Sequence, residues 1–384
     1  MSFAVRNILP PASVSLSMKV LQVLPSMEGG GVERGTLEIA SALVEAGHNS
    51  YVLSSGGRLV SELEKAGTTH VTWNIGNKTP FNLLQVKKLR KWLASQHFDI
   101  IHVRSRMPAW VVWLAWKKMN PITRPRFVST VHGLHSVNRY SAVMTYGERV
   151  IAVSETVRRY ILENYPRTDP NKISLIYRGI DSKDFPFAFQ ADNDWKEAWY
   201  KQYPQLQGRL VVTLPGRLTR LKGHLNFLEA ISKLRARNID IYGLIVGGAD
   251  PKRLAYAEEI KKRTIELGLR GHIIFTGQRH DIKEIYSVSN LVLSLSTKPE
   301  SFGRTVLEAL SMGIPVVAYD HGGVHEILSY LFPQGLVPLN DNACLVEKMV
   351  QLLSSPKIEI KPNDRFLLSD MKEHTISLYK SLLS

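Results

Sequence analysis

Two acidic residues, Glu300 and Glu308, flank the run Ser-Phe-Gly-Arg-Thr-Val-Leu in this chain of 384 residues. Their carboxylates can accept hydrogen bonds from the hydroxyl groups of a ligand. The apolar run 291–296 predicts a buried strand before them, and the pattern that follows predicts a helix that starts near Gly303 and ends at Gly313. Because a helix start offers free N–H groups and the positive end of a dipole, this point suits a phosphate. The order of groups predicts a ligand with sugar hydroxyls, then phosphates, then ribose hydroxyls.

A second loop carries two cations, Arg217 and Lys222. They lie in the sequence Pro-Gly-Arg-Leu-Thr-Arg-Leu-Lys-Gly, directly after the apolar run 209–214, which predicts a strand. Two cations on one loop can form strong hydrogen bonds with an anionic ligand. The alternative is a basic turn with solvated charges, and we expect Arg220, between the two, to be exposed.

These two loops resemble those of the family-4 retaining glycosyltransferases, which have the GT-B fold. The acid pair with Phe-Gly after the first acid, and the sequence Gly-Arg-Leu, three residues, Lys-Gly, are similar to that family's signatures. The resemblance covers nearly the whole chain from Met18 onward. It implies an α/β protein with two Rossmann-like domains facing a central cleft. It also implies an enzyme that transfers a hexose-type sugar, with retention, from a nucleoside diphosphate sugar to a hydroxyl group.

The resemblance also implies roles for individual residues. Glu300 would touch the transferred sugar, the backbone of residues 302–305 would hold sugar and phosphate, Glu308 would bind the ribose, and Arg217 and Lys222 would hold the diphosphate. In the family the leaving diphosphate is thought to assist the incoming hydroxyl, so we name no protein nucleophile. The residues expected to be catalytic are His132, Arg217, Lys222 and Glu300, and those expected to bind the donor are Gly30, Gly31, Arg217, Lys222, Gly247, Arg279, Glu300, Phe302, Gly303, Arg304, Thr305 and Glu308.

The N-terminal half opens with a strand at 19–24, a turn containing Gly30 and Gly31, and an amphipathic helix. The glycines lack the dinucleotide-binding spacing, and no acid ends the second strand, 51–53, which argues against a nicotinamide enzyme. The turn is similar to the loop that, in the family, closes against the donor and faces the acceptor.

Three histidines in this half are candidates for the site. His132 follows the predicted strand 126–131, and open α/β sheets bind ligands at the carboxyl ends of their strands. In the family a His at this strand end lies by the donor sugar. The alternative for His132, and with more weight for His102 and His135, is a histidine packed in the fold.

Further turns in the C-terminal half are expected to border the donor. Gly247 follows the predicted strand 240–246 and would let the backbone approach a ligand. Arg279 ends a turn that, in the family, lies against the nucleotide base, often through backbone contacts. The Gly-Gly turn before Glu326 is interpreted as a structural or donor-side turn.

The length predicts two or three domains. We expect a loose tail at 1–17, an N-terminal acceptor domain at 18–186, a C-terminal nucleotide-sugar domain at 187–365, and a last helix at about 366–384 that crosses back. Residues 186–208 are interpreted as the linker region between domains. The Asp192-Asn-Asp194 triplet there has no strand to deliver it, so we expect no metal and no cofactor. The substrate is expected to be a UDP-sugar rather than a GDP-sugar.

The net charge of +15 is unevenly distributed, and residues 18–184 carry 23 Lys and Arg against 13 Asp and Glu. A lone cysteine excludes an internal disulfide and fits a reducing compartment. No apolar run reaches the roughly 20 residues that span a bilayer. The excess of cations in this half indicates an anionic partner, although a merely soluble basic surface is an equal alternative.

Tryptophans accompany these cations at 78–92 and 104–126. The cations are Lys78, Lys87, Lys88, Arg90, Lys91, Arg104, Arg106, Lys117, Lys118, Arg124 and Arg126. Trp110, Trp113 and Trp116 share one face of a predicted helix. Such a surface suits an anionic membrane, and no nucleic-acid-binding motif accompanies it. We therefore expect a bacterial enzyme, peripheral on the cytoplasmic face of the membrane, that builds a cell-surface glycan such as lipopolysaccharide core. The alternative is that the tryptophans belong to the core.

Two other functions are left open: a sugar-nucleotide epimerase of similar two-domain shape, which would need no acceptor, and an inactive module that only binds nucleotide sugars. The intact residues Arg217, Lys222, Glu300 and Glu308 argue against an inactive module. The sequence does not identify the nucleotide, the sugar, the acceptor or the oligomeric state.

Overall fold

The computed structural model describes residues 17–76, 81–249 and 254–384. The expected tail, apart from Ser17, and the cation Lys78 lie outside these ranges. The chain divides into two compact units, residues 1–128 with 382–384 and residues 129–381. The domain boundaries expected at 18, 187 and about 366 stay predictions.

In the described residues the strands form two parallel sheets, one with seven strands and one with six. The first contains β1 (Lys19–Val23), β2 (Asn49–Ser54), β3 (Thr69–Thr72), β4 (Ile100–Val103), β5 (Arg126–Val131), β6 (Arg149–Ala152) and β7 (Ile173–Leu175). The second contains β8 (Leu210–Pro215), β9 (Ile241–Val246), β10 (Ile273–Gly277), β11 (Leu291–Ser294), β12 (Val316–Tyr319) and β13 (Leu336–Val337).

Helices connect the strands, as parallel pairing requires. They are α1 (Gly31–Glu45), α2 (Val60–Lys65), α3 (Phe81–Gln96), α4 (Arg106–Trp116), α5 (Glu155–Asn164), α6 (Asn193–Gln202), α7 (His224–Ala236), α8 (Leu254–Glu266), α9 (Ile282–Ser287), α10 (Arg304–Ser311), α11 (Gly322–Leu331), α12 (Asn342–Leu353) and α13 (Leu368–Ser381). Short 3-10 turns lie at Ser141–Thr145, Pro170–Lys172, Pro204–Leu206, Arg220–Lys222 and Pro333–Gly335.

Both sheets have the doubly wound order. The first runs β3-β2-β1-β4-β5-β6-β7 and the second β10-β9-β8-β11-β12-β13, so the direction of winding reverses between β1 and β4 and again between β8 and β11. The expected fold class, two Rossmann-like α/β halves, is confirmed. Strands such as β11 are wholly buried because parallel sheets are covered on both faces, and this explains their continuous apolar runs.

Part of the expected linker, residues 186–208, is folded, which corrects that interpretation. It contains α6, whose Trp199 is only 2% exposed and belongs to one apolar cluster with Leu206 and Leu244 of β9. Asp192 caps α6 by accepting a hydrogen bond of 2.7 Å from the backbone N–H of Trp195. The acid of the weak Asp-x-Asp motif is therefore a helix cap. Within the described ranges no group of three or more His, Cys, Asp or Glu side chains is placed to hold a metal ion.

The basic and tryptophan-rich region is only partly a surface. Arg104 is 5% exposed, and its Nε donates to Oε1 of Gln22 over 2.8 Å. Trp116 is also buried: it packs on Phe127 with ring centroids 5.4 Å apart and donates to the carbonyl of Pro125. The expectation that these two residues belong to a surface patch is wrong. Among the helices of the described residues, none has the length and apolar character needed to cross a bilayer.

Candidate active site

Two loops leave the adjacent strands β8 and β11 at the point where the winding of the second sheet reverses. Such a point is where open α/β sheets bind ligands. The loops are joined directly, because the N–H of Thr297 donates to the carbonyl of Leu221 over 2.8 Å. Gly223 makes this approach possible. It has φ of 73°, and a Cβ there would lie 2.0 Å from the carbonyl oxygen of Leu295.

Glu300 and Lys222 meet where these loops join. Lys222 Nζ lies 2.7 Å from Glu300 Oε1, and the Ser296 hydroxyl donates to the same oxygen. Burial would raise the pKa of Glu300, but the charge and hydrogen bond of Lys222, with Ser296 and the charge of His321, lower it below its ordinary value. Glu300 is therefore a carboxylate near neutral pH.

The second oxygen of Glu300, Oε2, accepts no hydrogen bond from the described part of the chain, whereas Oε1 accepts two. An ionised carboxylate oxygen can accept from a hydroxyl group. Lys222 has three N–H donors and uses one of them on Glu300, so the same ammonium can also contact an anion. This pair can thus hold a hydroxyl group and an anionic group side by side.

Glu308 lies one turn inside α10, which begins at Arg304, next to Gly303 as its N-cap. The predicted helix start is confirmed. Glu308 has a side chain only 11% exposed, and its Oε1 accepts from Arg304 Nε over 2.9 Å. Gly303 has φ of 107°, and a Cβ there would lie 2.7 Å from a methyl of Val324. Only glycine fits this helix start.

The other residues of the expected donor site are placed as follows. Phe302 is buried against Phe366, with ring centroids 5.9 Å apart, and Thr305 is half-buried in the first turn of α10. Arg217 is exposed on the loop after β8. Packing requires a glycine at position 247, since a Cβ there would lie 1.9 Å from the carbonyl oxygen of Gly216.

Arg279 is held by side chains of its own turn and of α6. It forms two hydrogen bonds to the carboxylate of Asp281, which also accepts from Trp195 Nε1 over 2.9 Å. The guanidinium lies 5.6 Å from the ring centroid of Trp199. Arg220, expected to be exposed, is 67% exposed and paired with Glu259.

His132 directly follows β5 and is bound to the acidic loop. The Ser301 hydroxyl donates to the carbonyl oxygen of His132 over 2.7 Å, and Arg178 Nη2 lies 2.7 Å from His132 Nδ1. The structure therefore brings His132 to the residue next to Glu300. It does not favour His102, which is wholly buried in β4; burial and the charge of Arg104 lower the pKa of His102 well below its usual value.

His135 and the glycines Gly30 and Gly31 lie in turns. The carbonyl of His135 accepts from the hydroxyl of Tyr160. Gly30 caps α1 with extended backbone, and a Cβ there would lie 2.6 Å from the carboxylate of Glu33, whereas a Cβ on Gly31 would meet no atom within 4 Å. The predicted placement of these glycines at a helix start is confirmed. Their role in donor binding stays a prediction.

The Gly-Gly turn before Glu326 packs against the loop that carries Glu300. A Cβ on Gly322 would lie 2.7 Å from the carbonyl oxygen of Glu300, and one on Gly323 would lie 2.5 Å from the Cα of Phe302. Glu326 accepts from the backbone N–H groups of Glu155 and Thr156, over 2.9 and 2.7 Å, at the start of α5. The carboxylate of Glu326 is thus a helix cap.

An open pocket of about 750 Å³ adjoins this turn. Pro299, His321 and Gly322 line one side of it, and Leu134, Tyr160 and Glu163 line another. The space therefore lies directly beside the loop that carries Glu300.

Sequence reasoning missed four residues of the site: Arg178, Ser296, Ser301 and His321. His321 Nε2 lies 2.6 Å from the carbonyl of Ser296, and so connects α11 to the residue that hydrogen-bonds Glu300. Ser296, Ser301 and His321 lie in or beside short stretches that the sequence singles out. Nothing in the spacing, however, indicates that residue 178 meets residue 132, or that residue 301 does.

Comparison with known proteins agrees with this geometry. The family model "Glycosyltransferase Family 4" matches residues 29–184, and "Glycosyl transferases group 1" matches residues 196–366. The crystal structure of a glycosyltransferase from Rickettsia africae ESF-5 is 31% identical, with a TM-score of 0.84 over 96% of this chain and 99% of that one. The chain belongs to these glycosyltransferases. It is accordingly a transferase enzyme with the GT-B architecture.

Two curated relatives cover most of the chain at lower identity. N-acetyl-alpha-D-glucosaminyl L-malate synthase of Bacillus anthracis is 25% identical over 354 residues, which is 89% of this chain and 88% of that protein. UDP-Gal:alpha-D-GlcNAc-diphosphoundecaprenol alpha-1,3-galactosyltransferase of Escherichia coli is 27% identical and covers 71% of this chain and 70% of its own length. The glycosyltransferase thus has relatives that differ in their acceptors.

Proposed function

We propose that this enzyme transfers a hexose-type sugar, with retention at the anomeric carbon and without a metal ion, from a nucleoside diphosphate sugar to a hydroxyl group of a glycan or glycolipid. The observation that carries the proposal is the Lys222–Glu300 pair, 2.7 Å apart at the switch point of the second sheet. It combines a carboxylate for sugar hydroxyls with a cation for the diphosphate.

Each part of the donor then has a partner. Glu300 Oε2 accepts from a hydroxyl of the sugar, and the start of α10 with Arg304 and Thr305 receives phosphate oxygens. Arg217 and Lys222 neutralise the diphosphate, and Glu308 accepts from the ribose hydroxyls. The contacts of Arg217, Lys222 and the helix start with the diphosphate strengthen as negative charge develops on it, so they lower the barrier and not only the dissociation constant.

The bond changes balance without a protein base. The bond from the anomeric carbon to the diphosphate oxygen breaks, and a bond from that carbon to the acceptor oxygen forms. The proton of the acceptor hydroxyl passes to the leaving diphosphate. His132 would lie by the donor sugar and hydrogen-bond it, as the resemblance implies.

A UDP-sugar is the donor that we favour over a GDP-sugar. The Escherichia coli relative, 27% identical to this chain, carries UDP-Gal in its name. In this chain the turn at 276–279 would meet the base, with Arg279 fixed by Asp281 and Trp199.

For the acceptor we propose a lipid-linked glycan, such as lipopolysaccharide core, at an anionic membrane surface. The first unit has exposed cations on two neighbouring helices: Lys87, Lys88 and Lys91 on α3, and Lys117 and Lys118 at the end of α4. Lys117 Nζ lies 4.2 Å from the ring centroid of the half-buried Trp113, and Ile122 nearby is 91% exposed. Basic residues near such a surface contribute roughly 1 kcal/mol each. We therefore propose that the enzyme works at the cytoplasmic face of the membrane.

Liposome co-sedimentation tests the membrane part. Binding should increase with the fraction of anionic lipid and fall as salt rises, because exposed charges are screened within about 10 Å at 0.1 M. Replacing Lys87, Lys88, Lys91, Lys117 and Lys118 by Gln should abolish it, whereas the same change at Lys348, Lys357 and Lys361 in the second unit is a control that should leave binding unchanged. A protein that stays in the supernatant with every lipid would contradict the membrane proposal and favour a soluble acceptor.

Retention and transfer are tested by NMR of the reaction. The product should have the anomeric configuration of the donor, and consumption of the donor should depend on acceptor. Conversion of the nucleotide sugar to an isomer with no acceptor present would show the epimerase instead.

A further inference from the structure

Arg178 and His132 form a hydrogen bond whose direction is fixed by chemistry. The distance from Arg178 Nη2 to His132 Nδ1 is 2.7 Å. A guanidinium has five N–H donors and no acceptor, and it does not lose its proton in proteins. Nδ1 must therefore be the acceptor, and the proton of the neutral ring lies on Nε2.

The backbone around Arg178 has little freedom. The N–H of Ile180 donates to the carbonyl of Phe366 over 3.2 Å, and the N–H of Leu368 donates to the carbonyl of Ile180 over 3.1 Å. A Cβ on Gly179 would lie 2.2 Å from the carbonyl carbon of Leu367, so only glycine permits this approach. The segment just before α13 therefore fixes the backbone of Gly179 and Ile180, the two residues that follow Arg178.

His132 is fixed from the other side by the loop of Glu300. Its carbonyl accepts from Ser301 over 2.7 Å, one residue beyond Glu300. Ser301 therefore orients the backbone of His132, and Arg178 orients its ring. Ser301 is next to Glu300 in the proposed sugar site.

We propose that Arg178 is a positioning residue, which holds His132 in the tautomer that carries its proton on Nε2, so that Nε2–H, a buried group, is the one that donates a hydrogen bond to an oxygen of the substrate. Nδ1 is occupied by Arg178, so this nitrogen does not take a proton from the acceptor hydroxyl. The inference rests on the proposed function of His132 as a partner of the donor sugar. It assigns to that histidine a donor role, and it leaves the departing diphosphate as the proton acceptor.

The tautomer can be observed without substrate. In protein labelled with ¹⁵N-histidine, NMR should show a protonated Nε2 and an unprotonated Nδ1 for His132, assigned from the signals lost in His132→Gln. Arg178→Leu should change this pattern, because the leucine offers no donor. Arg178→Lys should retain it, because an ammonium also donates. Arg158→Leu, which removes an exposed arginine paired with Glu155 in α5, is the matched control and should change nothing.

Kinetics connect the tautomer to the reaction. Arg178→Leu should lower kcat about 10- to 100-fold, the size expected when a group at the reacting centre loses its orientation, with a smaller change in KM. Arg178→Lys should restore most of it. If Arg178→Leu does not fold, as judged by circular dichroism, Arg178→Gln serves instead, because its amide can donate or accept and so permits both tautomers.

The outcomes separate this proposal from the proposed function. A protonated Nδ1 in the native enzyme, or native signals and native kcat in Arg178→Leu, would overturn the role of Arg178. Native kcat in His132→Gln would overturn the donor role of His132. An enzyme inactive with every donor, yet with the expected tautomer, would instead contradict the proposed function.

Discussion

Replacement of Glu308 by alanine should weaken donor binding while leaving α10 folded. The side chain is 11% exposed, and it accepts a hydrogen bond from Arg304 within the same helix. Loss of an (i, i+4) pair costs about 0.5 kcal/mol, and alanine is a better helix former than glutamate. Loss of ribose hydrogen bonds to a carboxylate should cost about 1.5–3 kcal/mol of binding free energy. The dissociation constant should therefore rise roughly 10- to 100-fold.

Isothermal titration calorimetry with the donor measures this change directly. The matched control is Glu347→Ala, which removes an exposed glutamate of α12 that is paired with Arg237. The control should bind the donor as the native enzyme does. Equal affinities for Glu308→Ala and the control, with the thermal unfolding of both unchanged, would refute the role assigned to Glu308.

Three further results are expected. Activity should survive EDTA, because Arg217 and Lys222 supply the positive charge; loss on EDTA with recovery on magnesium would contradict this. Arg217→Ala should lower kcat, measured by steady-state kinetics, with little change in the melting temperature. Arg220→Ala, in the same loop, should leave both kcat and the melting temperature unchanged. Burial, reinforced by the charge of Lys222, lowers the pKa of His224 from 6.5 to about 4. As the pH falls, the histidine of the unfolded chain takes up its proton near pH 6.5, before that of the folded chain does. The free energy of unfolding should therefore be constant above pH 6.5 and fall by up to about 3 kcal/mol towards pH 4. Denaturant titrations should find a smaller loss in His224→Phe.

The elements with strong patterns could be predicted from the sequence. β1 and β11 are largely apolar because both faces of a parallel strand are covered. α10 begins at Arg304 because the residue before it has a left-handed backbone conformation, which Gly303 can adopt. The loops after β8 and β11 could be predicted to converge because carboxyl ends of neighbouring parallel strands share one edge of a sheet.

What could not be predicted depends on contacts between distant residues. Arg178 meets His132 across 46 positions, and Ser301 meets it across 169. The helix α6 was missed because its polar surface hides one buried face, on which Trp199 packs, and because Asp192 resembles a metal ligand while acting as a cap. Trp116 shares its spacing with Trp110 and Trp113, but only packing on Phe127 makes it a core residue.

The central claim is that Glu300 and Lys222 form the sugar and diphosphate site of a glycosyltransferase. The most direct measurement is release of nucleoside diphosphate from a panel of UDP- and GDP-sugars, followed by chromatography, for the native enzyme, for Glu300→Gln and for the exposed control Glu347→Gln. We expect one donor of the panel to be cleaved, the rate to rise with acceptor, and Glu300→Gln to lose at least 100-fold in kcat while the control keeps it. Equal rates for Glu300→Gln and the native enzyme would contradict the claim, as would failure to cleave or bind any donor.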